Sequence, residues 1–220
     1  MKISEVDIEE IEDLLLKVET SFDIRFADNE LRNITTFGEL CDIIENKIRL
    51  ENSNDCTTQQ AFYKLRDALT ESLEIKRESV QPNLQLIELF PQKNRRKSVK
   101  QIEKKLGIKL SLLRPPYWLT LILFLIFLIS IFGLFLKLEF GLIGLAFSSI
   151  GLYCSMKFGN KLDLKTLGQV AEKMTRENYK KSRRKPDTYN KTEIIKIVSE
   201  LFRHELNIDK SELKRETILI

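Results

Sequence analysis

Two long apolar runs lie in the middle of this chain, and they constrain its fold more than any other feature. Residues 117–136 and 140–156 are almost wholly apolar, and only three residues separate them. About 20 apolar residues in a helix span the roughly 30 Å of hydrocarbon in a bilayer. Segment 123–131 has no polar face apart from Ser130, whereas a helix of a soluble core normally shows one. We predict a two-helix transmembrane hairpin over 115–157; the alternative is a buried helical hairpin in a soluble protein.

The charge on both sides of the hairpin predicts its orientation. Residues 93–116 hold nine basic side chains and one acidic side chain, and residues 157–191 hold eleven basic and four acidic ones. Because cytoplasmic flanks of membrane helices are enriched in Lys and Arg, we expect both polar arms on the cytoplasmic side. The N-terminal stretch is acidic and amphipathic and has no short apolar core of a signal peptide. We expect a multi-pass protein of the cytoplasmic (inner) membrane with both termini cytoplasmic and the lipid bilayer as a partner.

A basic helix is predicted directly before the first apolar run, with Val99, Ile102 and Leu106 on its apolar stripe. Each base near an anionic membrane surface contributes about 1 kcal/mol to binding. The side chains that we expect on the membrane surface are Arg95, Arg96, Lys97, Lys100 and Lys104. The alternative is nucleic-acid binding by segment 56–110, since helices with basic residues can mimic a DNA reader. The charge adjoins a membrane run and lacks interleaved aromatic residues, so nucleic acid is not favoured.

The residues that usually carry catalysis or hold metals are scarce. His204 is the only histidine, and Cys41, Cys56 and Cys154 fit no metal-ligand spacing. The chain contains no glycine-rich phosphate-binding motif. We therefore expect no enzymatic activity, no metal and no cofactor, and we expect free thiols in a reducing cytoplasm.

Both polar arms are predicted to form amphipathic helices, so the expected fold class is all-α: small cytoplasmic helical bundles plus the hairpin. Residues 5–21 carry an apolar stripe at three- and four-residue spacing, with acids on the other face. Thr36 and Glu39 have the spacing of a capping box at the start of another helix. Around the hairpin we divide the chain into 1–50, 51–114, a basic helical linker over 158–185, and 186–220.

Two stretches of the chain resemble acyl carrier proteins. Residues 193–217 are similar to the first helix of that fold and the loop that follows it, and residues 7–48 are similar to the remainder. Within the second stretch, 18–24 resembles the end of the carrier's second helix, and 34–40 resembles the opening of its last helix. In carrier proteins the two pieces occur in the reverse order. The resemblance therefore implies a permuted carrier-like domain, in which the C-terminal piece supplies the first helix.

The resemblance also implies where the functional residues of a carrier would lie. Counting back from Phe22, the serine that would carry phosphopantetheine falls at Ile8, which has no hydroxyl for a phosphodiester. Ser4 lies one helical turn earlier and is the alternative attachment residue. Carrier proteins present an acidic second helix to basic partners. The corresponding acids, which the resemblance assigns to partner binding, are Glu9, Glu10, Glu12 and Asp13.

The function implied is that of a membrane-anchored carrier-like protein without its own prosthetic group, which docks enzymes of acyl-chain or lipid metabolism. One rival is a working carrier protein, modified at Ser4 or completed by a second chain. The other rival is a membrane-bound regulator whose 56–110 segment binds nucleic acid. Residues 56–69 also resemble a small module with an AFYxLR core that occurs beside bacterial carrier-like domains. A helix supplied from a distant terminus can also dock on a neighbouring chain, so self-association stays open.

Overall fold

The computed structural model describes residues 8–27, 30–31, 34–208 and 213–219, and this part of the chain is mostly helical. Its helices are α1 (Ile8–Phe22), α2 (Phe37–Lys47), α3 (Thr57–Leu73), α4 (Leu86–Leu89), α5 (Arg95–Leu106), α6 (Tyr117–Leu136), α7 (Leu138–Phe158), α8 (Leu167–Glu177), α9 (Tyr179–Ser182) and α10 (Lys191–Leu206). Its short strands are β1 (Glu51–Asn52), β2 (Leu113–Arg114), β3 (Lys161–Leu162) and β4 (Thr188–Tyr189). Strand β1 pairs with β4 in parallel, and β2 pairs with β3 in antiparallel fashion. The prediction of a mainly helical chain with two long apolar helices is confirmed.

One hydrophobic core is built from elements that lie before and after the hairpin in sequence. We call α1, α2, α10 and residues 213–219 the split unit. Helix α1 contributes Leu14 and Val18, which its three- and four-residue spacing places on one face, and both are fully buried. Phe37 of α2 meets Phe202 of α10 edge to face, with ring centroids 5.2 Å apart. The apolar side chains of α10 therefore complete the core that α1 and α2 begin.

A second hydrophobic core lies beside the hairpin, and we call its elements, α3, α4, α5 and α8, the membrane unit. Helix α8 falls in the segment 158–185, for which the sequence predicted a basic helical linker. The structure has a helix there and adds that four of its apolar side chains share one face and are almost fully buried in this core. They are Leu167, Val170, Ala171 and Met174. Because the segment is rich in basic residues, an interpretation based on its charge did not reveal this apolar face.

The two units repeat the same set of backbone hydrogen bonds. In each unit an extended segment pairs with the threonine that caps a helix, Thr36 before α2 and Thr166 before α8. In the split unit the N–H···O bonds are Gly38 to Arg215 (2.8 Å), Phe37 to Thr217 (2.9 Å) and Leu219 to Thr35 (2.9 Å). In the membrane unit they are Gly168 to Pro82 (2.7 Å), Leu167 to Leu84 (3.1 Å) and Leu86 to Lys165 (2.8 Å). The residue spacing is identical in the two sets, so the units share one local architecture.

The helix ends of the two units correspond as well. Four helices end at a residue in the left-handed region: α1 at Asp23 (φ 56°), α5 at Gly107 (φ 64°), α3 at Glu74 (φ 55°) and α10 at Asn207 (φ 52°). Beyond α1, the Phe26 N–H donates to the Glu19 carboxylate at 2.6 Å. Beyond α5, the Leu110 N–H donates to the Glu103 carboxylate at 2.7 Å. Helix α1 therefore corresponds to α5, α2 to α8, and α10 to α3.

This correspondence locates the hairpin within the membrane unit. The split unit connects α1 to α2 through residues 24–35, whereas the membrane unit connects α5 to α8 through 108–165, which includes α6 and α7. Pairing of β2 with β3 brings the two ends of the hairpin together. At Gly159 an added Cβ would lie 2.6 Å from the Arg114 carbonyl carbon, so only glycine fits this close approach. The hairpin thus enters and leaves the membrane unit at a single point.

Candidate membrane interface and docking surface

Helices α6 and α7 expose most of their large apolar side chains. Both are long and apolar enough to cross a membrane. The exposed side chains include Phe124, Leu125, Ile129, Phe132, Phe135, Ile143, Phe147 and Ile150. The polar groups within the helices are satisfied locally, since the Ser130 hydroxyl donates to the Ile126 carbonyl at 2.7 Å and the Ser148 hydroxyl donates to that of Gly144 at 2.7 Å. The outer surface of the hairpin therefore suits hydrocarbon and not water.

Glycines on α7 allow the two helices of the hairpin to pack closely. A Cβ at Gly141 would lie 2.6 Å from the Leu134 nitrogen, and a Cβ at Gly151 would lie 2.8 Å from Leu123 Cδ2. Small residues at such positions let helix backbones approach in an apolar medium, where packing drives association. The hairpin is therefore a packed pair of helices.

The structure corrects the prediction that Arg95 lies on the membrane surface. Only 8% of this residue is exposed, because its guanidinium joins the start of α5 to the end of the hairpin. Its Nε donates to the Phe90 carbonyl at 2.8 Å, and its Nη1 donates to the Asn160 carbonyl at 2.7 Å. These bonds make Arg95 a structural clamp, since a buried guanidinium needs such partners.

The other four bases predicted on the membrane surface are exposed along α5. They are Arg96, Lys97, Lys100 and Lys104. The Arg96 Nη2 donates to the Lys157 carbonyl at 3.0 Å, and its guanidinium lies 5.0 Å from the centre of the Phe158 ring. The start of α5 therefore contacts the point where α7 leaves the predicted membrane span.

Aromatic residues mark the same end of the hairpin. Tyr117 and Trp118 begin α6, and Tyr153 lies in the last turns of α7; all three are well exposed. Tyr and Trp are enriched at the level of the lipid headgroups. The aromatic positions and the contacts of Arg96 thus lie at the same end of the hairpin.

The four acids predicted to bind partners all lie on the exposed side of α1. They are Glu9, Glu10, Glu12 and Asp13. Negative charge in the first turn also favours the helix itself, because it complements the helix dipole. Leu16, one turn further on, is 59% exposed and adds an apolar residue to this acidic face. Helix α1 begins at Ile8, whereas Ser4 and the Ile8 side chain lie outside the described residues.

A buried arginine that the sequence did not single out joins the two units. Arg183 is fully buried, and its Nη1 donates to the Thr57 hydroxyl at 2.6 Å. The Thr57 hydroxyl also donates to the Glu193 carboxylate at 2.5 Å, which places this carboxylate 3.9 Å from the guanidinium. Burial is the main cause that raises the pKa of Tyr179, whose hydroxyl belongs to the same cluster. In sequence, Arg183 lies in a run of bases, and no pattern there distinguishes a buried base from solvated ones.

A cleft of about 350 Å³ lies between α3, α8 and α10, with His204 on its wall. Burial, with a further contribution from Arg176 and Arg203, lowers the pKa of His204 below its usual value. Cys56 also lines the cleft, whereas Cys41 is buried elsewhere and burial raises the pKa of its thiol to about 12. Among the described residues, no group of three or more His, Cys, Asp and Glu is placed to hold a metal ion.

Comparison with known proteins returned no match to any family model, any curated protein or any solved structure.

Proposed function

We propose that this chain is a membrane-anchored docking protein. Its hairpin crosses the cytoplasmic membrane of a bacterium, both polar arms lie on the cytoplasmic side, and the helical units hold partner proteins at the membrane. The observation that carries the proposal is the wide apolar surface of α6 and α7, which is left exposed next to a base-rich junction. A soluble monomer rarely exposes an apolar surface of this extent, since such patches mark sites of contact with membranes or proteins.

The orientation rests on the charges that the fold gathers at the base of the hairpin. The bases of α5 and those that follow α7 lie at the same end, whereas the opposite end carries only Lys137 and Glu139. Lys and Arg next to membrane helices are retained on the cytoplasmic side. This asymmetry supports a multi-pass arrangement with both arms in the cytoplasm.

The docking role is proposed for the split unit, which we suggest has a carrier-like fold without a prosthetic group of its own. Two features support this: the resemblance of residues 18–24 and 34–40 to carrier proteins, and the shared core of α1, α2 and α10. The acidic side of α1 is then the surface for enzymes of acyl-chain or lipid metabolism that present a basic patch. Charge complementarity of this kind speeds association and selects partners.

The test is binding of the full chain, reconstituted in neutral bilayers, to candidate enzymes with basic surfaces. In the docking variant, four acids of α1 are reversed: Glu9→Lys, Glu10→Lys, Glu12→Lys and Asp13→Lys. The control reverses four exposed acids of other segments: Glu51→Lys, Glu78→Lys, Glu88→Lys and Asp187→Lys. We expect the docking variant to bind at least about tenfold more weakly, because each exposed ion pair with the partner contributes up to about 1 kcal/mol. Equal binding of both variants to every candidate enzyme would refute the docking surface.

A further inference from the structure

The junction between α5 and the end of α7 concentrates positive charge without acids. Neither residues 89–102 nor residues 140–162 contain an Asp or a Glu. Besides Lys100, five bases of these two segments are exposed: Lys93, Arg96, Lys97, Lys157 and Lys161. Within the described part of the chain, none of these five side chains forms an ion pair. Such a surface attracts anions, because like charges held together raise the local potential.

Backbone-directed hydrogen bonds fix the two segments against each other. The Asn160 side-chain amide donates to the Gln92 carbonyl at 2.9 Å, and Arg95 Nη1 donates to the Asn160 carbonyl at 2.7 Å. Arg96 then reaches the Lys157 carbonyl at 3.0 Å. Three bonds thus hold the start of α5 on the end of α7, so the bases of both segments share one built surface.

The split unit provides an internal comparison for this charge. Its helix α1, which corresponds to α5, has acids in the first turn, as the helix dipole favours. Helix α5 has three bases at the same place and no acid there. Its N-cap residue Asn94 makes no capping hydrogen bond, whereas Thr36, Thr166 and Asn190 all cap their helices. The membrane unit therefore keeps an unfavourable helix start that an anion would offset.

The position of the junction at one end of the hairpin indicates where that anion comes from. Tyr117, Trp118 and Tyr153 are exposed at the same end of the hairpin, as expected of residues at headgroup level. Lys157 lies in the last turn of α7, with its ammonium 5.4 Å from the centre of the Tyr153 ring. The phosphates of a bilayer leaflet lie at this level, and clusters of juxtamembrane bases bind anionic lipids.

We propose that Lys93, Arg96, Lys97, Lys157 and Lys161 form a binding site for the phosphate of an anionic phospholipid headgroup. The site rests on the proposed membrane anchoring and adds a specific lipid class to it. It differs from a diffuse basic surface because Arg95 and Asn160 hold its two segments in register. The remaining exposed bases of α5, Lys100, Lys104 and Lys105, lie one or two turns further along the helix.

The test uses the full chain in lipid nanodiscs of phosphatidylcholine, alone or mixed with phosphatidylglycerol. The site variant is Lys93→Gln, Lys97→Gln and Lys161→Gln. The control removes the same charge from exposed lysines outside the membrane unit: Lys185→Gln, Lys196→Gln and Lys214→Gln. Phosphatidylglycerol retained on the released protein is counted by native mass spectrometry. Amide exchange in the first turn of α5 is measured in the same discs.

We expect the site variant to lose roughly a hundredfold in affinity for phosphatidylglycerol and the control to retain it, since each base adds about fivefold. Exchange at the start of α5 should slow in the mixed discs for the wild type and the control only. Equal retention by both variants would overturn the site. If soluble glycerol phosphate slowed amide exchange at the start of α5 in neutral discs, the lipid would be overturned as the source of the bound phosphate. Failure of the wild type to enter neutral bilayers would refute the anchoring and the site together, whereas entry without lipid preference would refute the site alone.

Discussion

The Arg183 guanidinium lies 2.6 Å from the Thr57 hydroxyl, although 126 positions separate the two residues in the chain. Thr57 begins α3 of the membrane unit, and Arg183 lies just before the strand that leads into α10 of the split unit. Because Glu193 of α10 accepts from the same threonine, one buried cluster fixes both units. This polar cluster therefore adds to the packing of α8 against α1 and α10 in placing the two units against each other.

Replacement of Arg183 should destabilise the protein strongly. In Arg183→Met the Glu193 carboxylate, which is 17% exposed, would lose the cation that faces it, and the Thr57 hydroxyl would lose a donor. Loss of one partner from a fully buried pair costs about 3–5 kcal/mol, so we expect a loss toward the lower end of this range in the free energy of unfolding. Urea unfolding in detergent, followed by circular dichroism, measures it. The exposed neighbour provides the control, Arg184→Met, and equal stability of the two variants would contradict a joining role for the cluster.

The hairpin should be replaceable by the short connection of the split unit. Substituting residues 27–34 for residues 111–164 would join α5 to α8 as α1 is joined to α2. The grafted segment brings Leu31 and Ile34, which pack on the core of the split unit, in place of the apolar residues removed. We expect a protein that stays soluble without detergent and unfolds cooperatively in urea.

The control for this graft is a Gly/Ser segment of equal length, which lacks both apolar side chains and should be less stable. Size-exclusion chromatography without detergent compares the two proteins. Aggregation of the grafted protein, or helix content that melts without a transition, would show that the two units are not equivalent at this connection.

Stability should fall when the pH drops below the usual His204 pKa of 6.5. The folded-state pKa of His204 lies below that value, so between the two the unfolded chain binds more protons than the folded chain. The contribution of the neutral imidazole is therefore present above pH 6.5 and is lost as the pH falls through this window. Arg176 and Arg203 lower this pKa, while Glu200 and Glu205 oppose them.

The measurement is the melting temperature of the wild type and of His204→Asn at pH values on both sides of 6.5. The wild type should lose more stability on acidification than the variant does. Identical pH profiles would mean that His204 titrates alike in the folded and unfolded chains.

A carrier-like unit without its attachment serine should stay unmodified. Coexpression with a broad-specificity phosphopantetheinyl transferase, followed by intact-mass measurement of the detergent-purified chain, tests this. We expect the mass of the unmodified polypeptide, since Ile8 cannot form a phosphodiester. An increase of one phosphopantetheine would instead identify a working carrier, and Ser4→Ala would then show whether Ser4 holds the group.

The apolar runs and the helix signals were readable in the sequence because they depend on local patterns. The capping box of Thr36 and Glu39 is present, and α2 begins at the next residue, Phe37. The equivalent box at Thr166 has Gln169 as its partner, and the charge around it led to the prediction of a basic helical linker instead of a core helix. A helix that is basic on one face and apolar on the other still joins a core, so composition was the weaker guide there.

The positions of single charged residues were not predictable in the same way. Arg95 and Arg96 are adjacent and chemically alike, yet the first is buried against two carbonyls and the second is exposed. Which of them turns inward depends on where the end of α7 lies, and that is a tertiary property. Arg183 illustrates the same limit, because its partners come from segments more than a hundred positions apart.

The order of elements in the split unit has a consequence for biosynthesis. Helices α1 and α2 leave the ribosome first, but the helix that covers their apolar faces, α10, is made only after the hairpin. Domains fold as their parts emerge during translation, so this unit must wait with its apolar faces uncovered until α6, α7 and α10 have been made. Chains whose synthesis stops within the hairpin would keep the apolar faces of α1 and α2 exposed to chaperones and proteases. The closed core of the split unit would thus mark molecules in which the hairpin and α10 have both been made.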